Sequence, residues 1–241
     1  MNNTIAIIPA RSGSKTLADK NIKLLSGHPL IAYSIAVAKL SKKIDRVMVS
    51  TNSKQYADIA KHYGAEVPFI RPDLYSSDTS TDREFLIHAM NWLNDNENKI
   101  PEYWVHLRPT TPLRNIEVID KAIESIKSDK KSTSLRSGHI APESPLKWLK
   151  KSGQYFEGFL NNEGFNLPKE AFNQVYIPDG YVDIIKSSFI LNNKEIHGDF
   201  MIGFESPACV EVDSLEEFNY IEYQLNQYNS ELLSYLNTFD H

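Results

Sequence analysis

The feature that most constrains this chain is an alternation of strand and helix patterns that starts at the fourth residue. Thr4–Pro9 (TIAIIP) is a β-branched apolar run ending in proline, as expected for a central parallel strand covered on both faces. From Pro29 to Leu40 the apolar residues recur at helical spacing, with proline at the first helical position. Arg46–Ser50 reads as a second strand, Ser53–Tyr63 as a helix closed by Gly64, and Glu66–Ile70 as a third strand. Thr81 and Glu84 form a capping-box pattern opening a helix to about Asn94. Trp104–Leu107 follows as a strand, Asn115 to about Lys127 as a helix, and Ser132–Leu135 as a strand. This rhythm predicts βαβ units and a mostly parallel sheet.

From about 136 to 178 the rhythm fails, and a stretch that long predicts an inserted lobe that binds substrate or a second subunit. Tyr181–Lys186 and Ala208–Val212 read as late strands, and a second capping box at Ser214 and Glu217 opens a helix to about Tyr228. With no repeat, low-complexity tract or linker, residues 1–241 read as a single domain carrying one embellishment.

Composition narrows the function classes. A chain of 241 residues that is 41% hydrophobic and 24% charged is long enough for a substantial core. A net charge of −5 disfavours a nucleic-acid polymer as partner. No apolar run approaches the ~18 residues that cross a bilayer, and no leader pattern precedes the first strand, so a cytoplasmic chain with no membrane partner is expected. The single cysteine, Cys209, reads as a small buried hydrophobe rather than a nucleophile.

Four segments carry chemistry. The loop Ala10–Asn21 follows the first strand, where open α/β sheets bind ligands. In it Gly13 allows close backbone approach, Ser12 and Ser14 supply donors, and Arg11, Lys15 and Lys20 supply positive charge, a set suited to a polyphosphate. It is neither a Walker A loop nor a dinucleotide fingerprint. A solvated connection is the plainer reading of such a loop; its position after the first buried strand favours the phosphate site. Arg71–Thr81, rich in hydroxyls and carboxylates, suits a base and ribose but equally a decorated turn. Leu107–Arg114 places Arg108, Thr110 and Arg114 at another strand end, facing an anionic substrate or pairing with helix carboxylates. In Val210–Asp213 the strand period puts Glu211 and Asp213 on one face, as hard ligands for Mg²⁺ or as acids facing solvent.

Taken together, Ile7–Lys15, Lys20-Asn21, Val49–Thr51, Arg71-Pro72 with Ser77–Thr79, Arg108–Arg114, Pro145–Lys147 and Val210–Asp213 resemble the acylneuraminate cytidylyltransferase (CMP-sialic acid synthetase) family over nearly the whole chain. The resemblance implies a three-layer, Rossmann-like α/β fold. Its sheet is mixed and mainly parallel, of the nucleotide-diphospho-sugar transferase type, and its inserted lobe serves dimerisation and substrate binding. It also implies a homodimer and transfer of CMP from CTP to an acidic keto-sugar with Mg²⁺. By position, Arg11, Ser14, Lys15 and Lys20 hold the triphosphate, with Ser12 and Gly13 in the same loop. Asn21, Arg71 and the Ser77, Thr79 and Ser80 loop hold the cytidine. Arg108, Thr110, Lys147 and Asp183 lie on the sugar side, and Asp213 with Glu211 binds metal. Arg11, Lys15, Lys20 and Asp213 form the catalytic set.

The sugar side departs from the family pattern. Arg108 replaces a common glutamine, Glu211 an aspartate, and Asp183 a tyrosine, while an arginine expected near Leu167-Pro168 is missing from 161–166. An acceptor other than plain N-acetylneuraminate is therefore expected. The alternatives are a nucleotidylyltransferase for a sugar phosphate or phosphonate, and a non-catalytic nucleotide-binding relative.

Overall fold

The structure, a computed structural model, describes residues 3–160, 163–227 and 231–239. Asn161, Asn162 and Tyr228 therefore lie outside the described residues. In chain order the elements are β1 (Thr4–Pro9), β2 (Leu24–Leu25), β3 (His28–Pro29), α1 (Leu30–Leu40), β4 (Arg46–Ser50), α2 (Lys54–His62), α3 (Asp82–Glu97), β5 (Tyr103–His106) and α4 (Ile116–Ser128). There follow β6 (Ser134–Ile140), β7 (Leu149–Ser152), β8 (Tyr155–Gly158), β9 (Tyr176–Lys186), α5 (Ser187–Asn192), β10 (Met201–Glu205), α6 (Leu215–Gln227) and α7 (Glu231–Leu236).

Six strands form one sheet in the order β10-β6-β9-β5-β1-β4. Three of its pairings are parallel, and β9 runs antiparallel to both its neighbours. The period of two along β1 divides the core. Ala6 and Ile8 pack on the side of α1, α2, α4, α6 and α7, whereas Ile5 and Ile7 pack with α3 and α5. Each buried Ile, Leu or Phe side chain contributes roughly 1.5–3 kcal/mol relative to an exposed one. The result is the expected three-layer α/β architecture.

Chain order places β4 and β5 on opposite flanks of β1. Their connections diverge there and open a crevice beyond the strand ends, the position at which such sheets bind ligands.

Several expected elements differ. Glu66–Ile70 is not a strand: Glu66 makes one parallel bridge to Met48, and Pro68 has no N–H with which to extend the ladder. Residues 208–212 are irregular, and the late strand is β10, seven residues upstream. Its residues alternate between exposed and half-buried, so β10 offers little apolar signal. The strand expected at Ser132–Leu135 starts at Ser134 and runs on to Ile140, and β9 starts at Tyr176. The irregular excursion thus narrows to 141–175, with the β7–β8 hairpin turning at Gly153, whose φ is +61°.

Candidate active site

The loop after β1 is shaped by its own chain. Gly13 takes a φ of +80°, in the left-handed region that glycine adopts without penalty. The Asn21 side chain donates to the Arg11 carbonyl at 3.0 Å, and Tyr56 donates its hydroxyl to Asp19 at 2.9 Å. Ser12 donates its backbone N–H and its hydroxyl to Asn52, so it braces the loop from behind.

This loop lines a cleft of about 340 Å³ together with the 71–81 and 108–110 segments. Of the residues singled out from the sequence, Arg11, Ser14, Lys15, Lys20, Asn21, Arg71, Ser77, Ser80, Arg108 and Thr110 line it. Tyr75, within the 71–81 segment, lines it too, as do Asp82 and Phe85, which the sequence does not single out for a site role. Ser12, Gly13 and Thr79 support the lining: Thr79 bonds the Ser77 hydroxyl at 3.2 Å.

The opening loop meets the end of the fold. Lys20 Nζ donates to the Val212 carbonyl at 2.9 Å and to Asp213 Oδ1 at 3.0 Å. The Val212 N–H donates to the Thr110 carbonyl at 2.8 Å, so the 108–114 turn shares the junction. Asp213 stands on a cap rather than a strand. Glu217 accepts from the N–H groups of Asp213 and Ser214, both at 2.8 Å, and Ser214 Oγ accepts the Glu217 N–H at 3.2 Å.

The strand argument for paired metal ligands therefore fails. Glu211 Oε1 accepts the Gly180 N–H at 2.5 Å, where even a methyl group on Gly180 would sit 2.8 Å from that oxygen. Asp213 is the exposed carboxylate, its side chain 69% accessible. No cluster of three or more metal-ligating side chains occurs among the described residues.

Asp78 occupies the phosphate side. It accepts from Arg11 at 2.7 Å and pairs with Lys15, and these two cations hold its carboxyl below the ordinary range. Arg71 is buried beside Arg11, its guanidinium 5.5 Å from the Phe85 ring. Burial and the Arg11 charge push it down to about 10. Its Nε and Nη2 have no partner among the described residues, which leaves a cation at the cleft wall with donors to give.

Residues 5–149, which include Ile5–Pro9 of β1 and the segments lining this cleft, match the family model described as Cytidylyltransferase. The chain belongs to the cytidylyltransferase family. This cytidylyltransferase is 34% identical over 207 residues to a CMP-N,N'-diacetyllegionaminic acid synthase of Legionella pneumophila, an alignment covering 81% of the chain and 83% of the relative. It is 30% identical over 220 residues to an N-acylneuraminate cytidylyltransferase of Escherichia coli, covering 89% of the chain and half of that longer relative. Among solved structures, a CMP:2-keto-3-deoxy-manno-octonic acid synthetase complexed with CTP aligns with a TM-score of 0.70 over 93% of the chain and 98% of its own. At 14% identity that likeness establishes the fold.

The far side of the cytidylyltransferase cleft is a buried charge network. Arg108 donates to Asp183 and to Asp82, both at 2.9 Å, so its terminal nitrogens are committed within the protein. His106 lies beneath them, fully enclosed, and burial together with Arg108 pushes it down to about 4. Arg114 does not face the cleft: it is buried and donates to the carbonyls of Tyr181, Arg108 and Gly180 and to Ser34, locking the turn. Lys147 does not line the cleft and pairs with Glu143 at 3.4 Å. Cys209 is half-buried and its thiol is pushed up to about 12, which keeps it protonated and unreactive.

Proposed function

We propose that this cytidylyltransferase transfers CMP from CTP to the anomeric hydroxyl of an acidic 3-deoxy keto-sugar of the sialic-acid type, releasing diphosphate. The observation that carries the reading is the convergence on one cleft of Arg11, Lys15, Lys20 and Arg71, whose Nε and Nη2 have no partner among the described residues, with Lys20 paired to Asp213. The names of the Legionella and Escherichia coli relatives support the acceptor class.

In this reading Arg11, Ser14, Lys15 and Lys20 hold the triphosphate, with Ser12 and Gly13 shaping the loop around it. Arg71, Asn21 and the Ser77, Thr79 and Ser80 loop hold the cytidine. The sugar hydroxyl attacks the α-phosphorus in line and diphosphate leaves. Such a transfer needs positioning and charge neutralisation more than covalent help. Arg11, Lys15 and Lys20 balance the charge that builds on the leaving oxygens.

Asp213 is the residue suited to a divalent cation, Mg²⁺ by its hard oxygen donors, because that ion takes one or two carboxylates and fills its shell with water and phosphate. Glu211 has one oxygen committed to the Gly180 N–H, so it would join through the other or through water. When bound, the ion supplies charge neutralisation at the phosphate oxygens. Arg108 and Thr110 form the sugar side, and Asp183, buried behind Arg108, acts there by holding its guanidinium.

The 141–175 lobe is proposed as the contact between two copies in a homodimer, with Lys147 serving the neighbouring subunit's sugar side. Trp148, Tyr155, Phe156 and Phe159 are all about half exposed or more on it. No described helix is long and apolar enough to cross a membrane, which accords with action in the cytoplasm.

The test supplies each of the four nucleoside triphosphates, with Mg²⁺ and a panel of keto-acid sugars, and reads nucleotide adducts by mass spectrometry. A CMP adduct with a nine-carbon keto acid is expected. Adducts only with sugar phosphates or phosphonates, or CTP binding without turnover, would replace the reading.

A further inference from the structure

Asp82 opens α3 behind the Thr81 cap, and its carboxylate lines the cleft. Its two oxygens differ in their surroundings. Oδ2 accepts from Arg108 at 2.9 Å and lies 3.8 Å from His106 Nδ1. Oδ1 accepts no hydrogen bond among the described residues, and 39% of the side chain stays accessible. Burial raises the carboxyl, but His106 and Arg108 outweigh it and hold the group below the ordinary range, so it is ionised and can only accept.

The opposite chemistry stands close by. Phe85 is three residues further along α3, one turn on and on the same face. The Arg71 guanidinium lies 5.5 Å from that ring. Arg71 is only 4% exposed, yet its Nε and Nη2 meet no acceptor among the described residues. All three residues line the cleft, so an ionised acceptor and a guanidinium with two donors to give are gathered around one aromatic ring.

That pattern fits one pyrimidine edge. Cytosine offers two adjacent acceptors, O2 and N3, and one donor, the 4-amino group. A guanidinium suits the first two and a carboxylate the third. Uracil carries N3–H and a 4-carbonyl in their place, which sets donor against donor and carbonyl oxygen against carboxylate. Arg108, on the sugar side, occupies Oδ2 and leaves Oδ1 to the base.

We infer that Asp82 selects cytosine, its Oδ1 accepting from the 4-amino group while Arg71 donates to O2 and N3. This rests on the proposed use of CTP and adds to it the group that tells CTP from UTP.

The experiment measures nucleotide binding to the full-length chain by calorimetry, with Mg²⁺ and no acceptor. The probes are CTP, UTP and the triphosphate of pyrimidin-2-one riboside, which keeps O2 and N3 but lacks the amino group. The unaltered protein should bind CTP about tenfold or more tighter than either of the others. In Asp82→Asn the amide oxygen takes the Arg108 bond and the NH2 turns to the base. The advantage of CTP over the amino-free triphosphate should then vanish, and UTP should gain on CTP. Asp82→Ser should lose the same advantage, and it decides the matter if Asp82→Asn fails to fold. Equal binding of CTP and the amino-free triphosphate by the unaltered protein would overturn the assignment, as would an unchanged CTP preference in a folded variant. A raised acceptor KM with that preference intact would also overturn it, by placing Asp82 against the sugar. Unaltered protein that binds UTP as tightly as CTP would instead remove the proposed nucleotide, and the assignment with it.

Discussion

Lys15 and Arg71 show how differently two cations serve one cleft. Lys15 is 80% exposed and held by Asp78, so it is available to a phosphate at little desolvation cost. Lys15→Ala is expected to lower kcat/KM about a hundredfold or more while leaving the melting temperature in place, the loss typical of one transition-state donor. A turnover assay with a thermal melt on the same sample checks both halves. His106 carries a pH signature. Buried beside Arg108 and pushed down to about 4, it excludes a proton that the unfolded chain takes up below about 6.5. Stability from this source is full above that pH and falls as pH drops toward 4, by up to about 3 kcal/mol. Urea titrations of the protein and of His106→Leu across that window should show a shallower decline in the variant; parallel curves would assign the acid sensitivity elsewhere.

At the level of elements, the capping box of α6 does two jobs, since Glu217 also takes the N–H of Asp213. Ser214→Ala is expected to cost about 1 kcal/mol and to lower the melting temperature by roughly 2–4 °C. It should also weaken Mg²⁺ dependence, because the backbone that aims Asp213 loosens; calorimetric melting and a metal titration read the two effects. Such boxes were legible in the sequence because their spacing is local, as were β1, β4 and β5, whose buried apolar runs need no partner to be recognised. Glu66–Ile70 misled because its apolar residues surround Pro68, which stops the pairing after the single bridge at Glu66. The Arg11, Lys15 and Lys20 loop was legible from its place after β1. His106 and Asp82 were not: a group within a strand, such as His106, acquires meaning only when the register sets it beside Asp183, and Asp82, at the start of α3, only when the fold brings it to Arg108.

For the whole molecule, the 141–175 lobe gathers several apolar residues that the chain itself leaves uncovered. Tyr155 and Phe156 are 68% and 71% exposed on the β8 strand of its hairpin. Phe156→Asp is expected to shift the protein from dimer to monomer in sedimentation at micromolar concentration with little change in melting of the sheet core. A monomeric unaltered protein would end the proposal of a second subunit. The pairing of Asp78 with Arg11 and Lys15 has a consequence for how nucleotide arrives. The site already carries a tethered anion, so in the proposed binding mode the triphosphate would enter by exchange, one negative group displacing another. Fewer mobile ions would then be shed than a count of bare cations suggests, and the salt sensitivity of CTP affinity is expected to be correspondingly gentle.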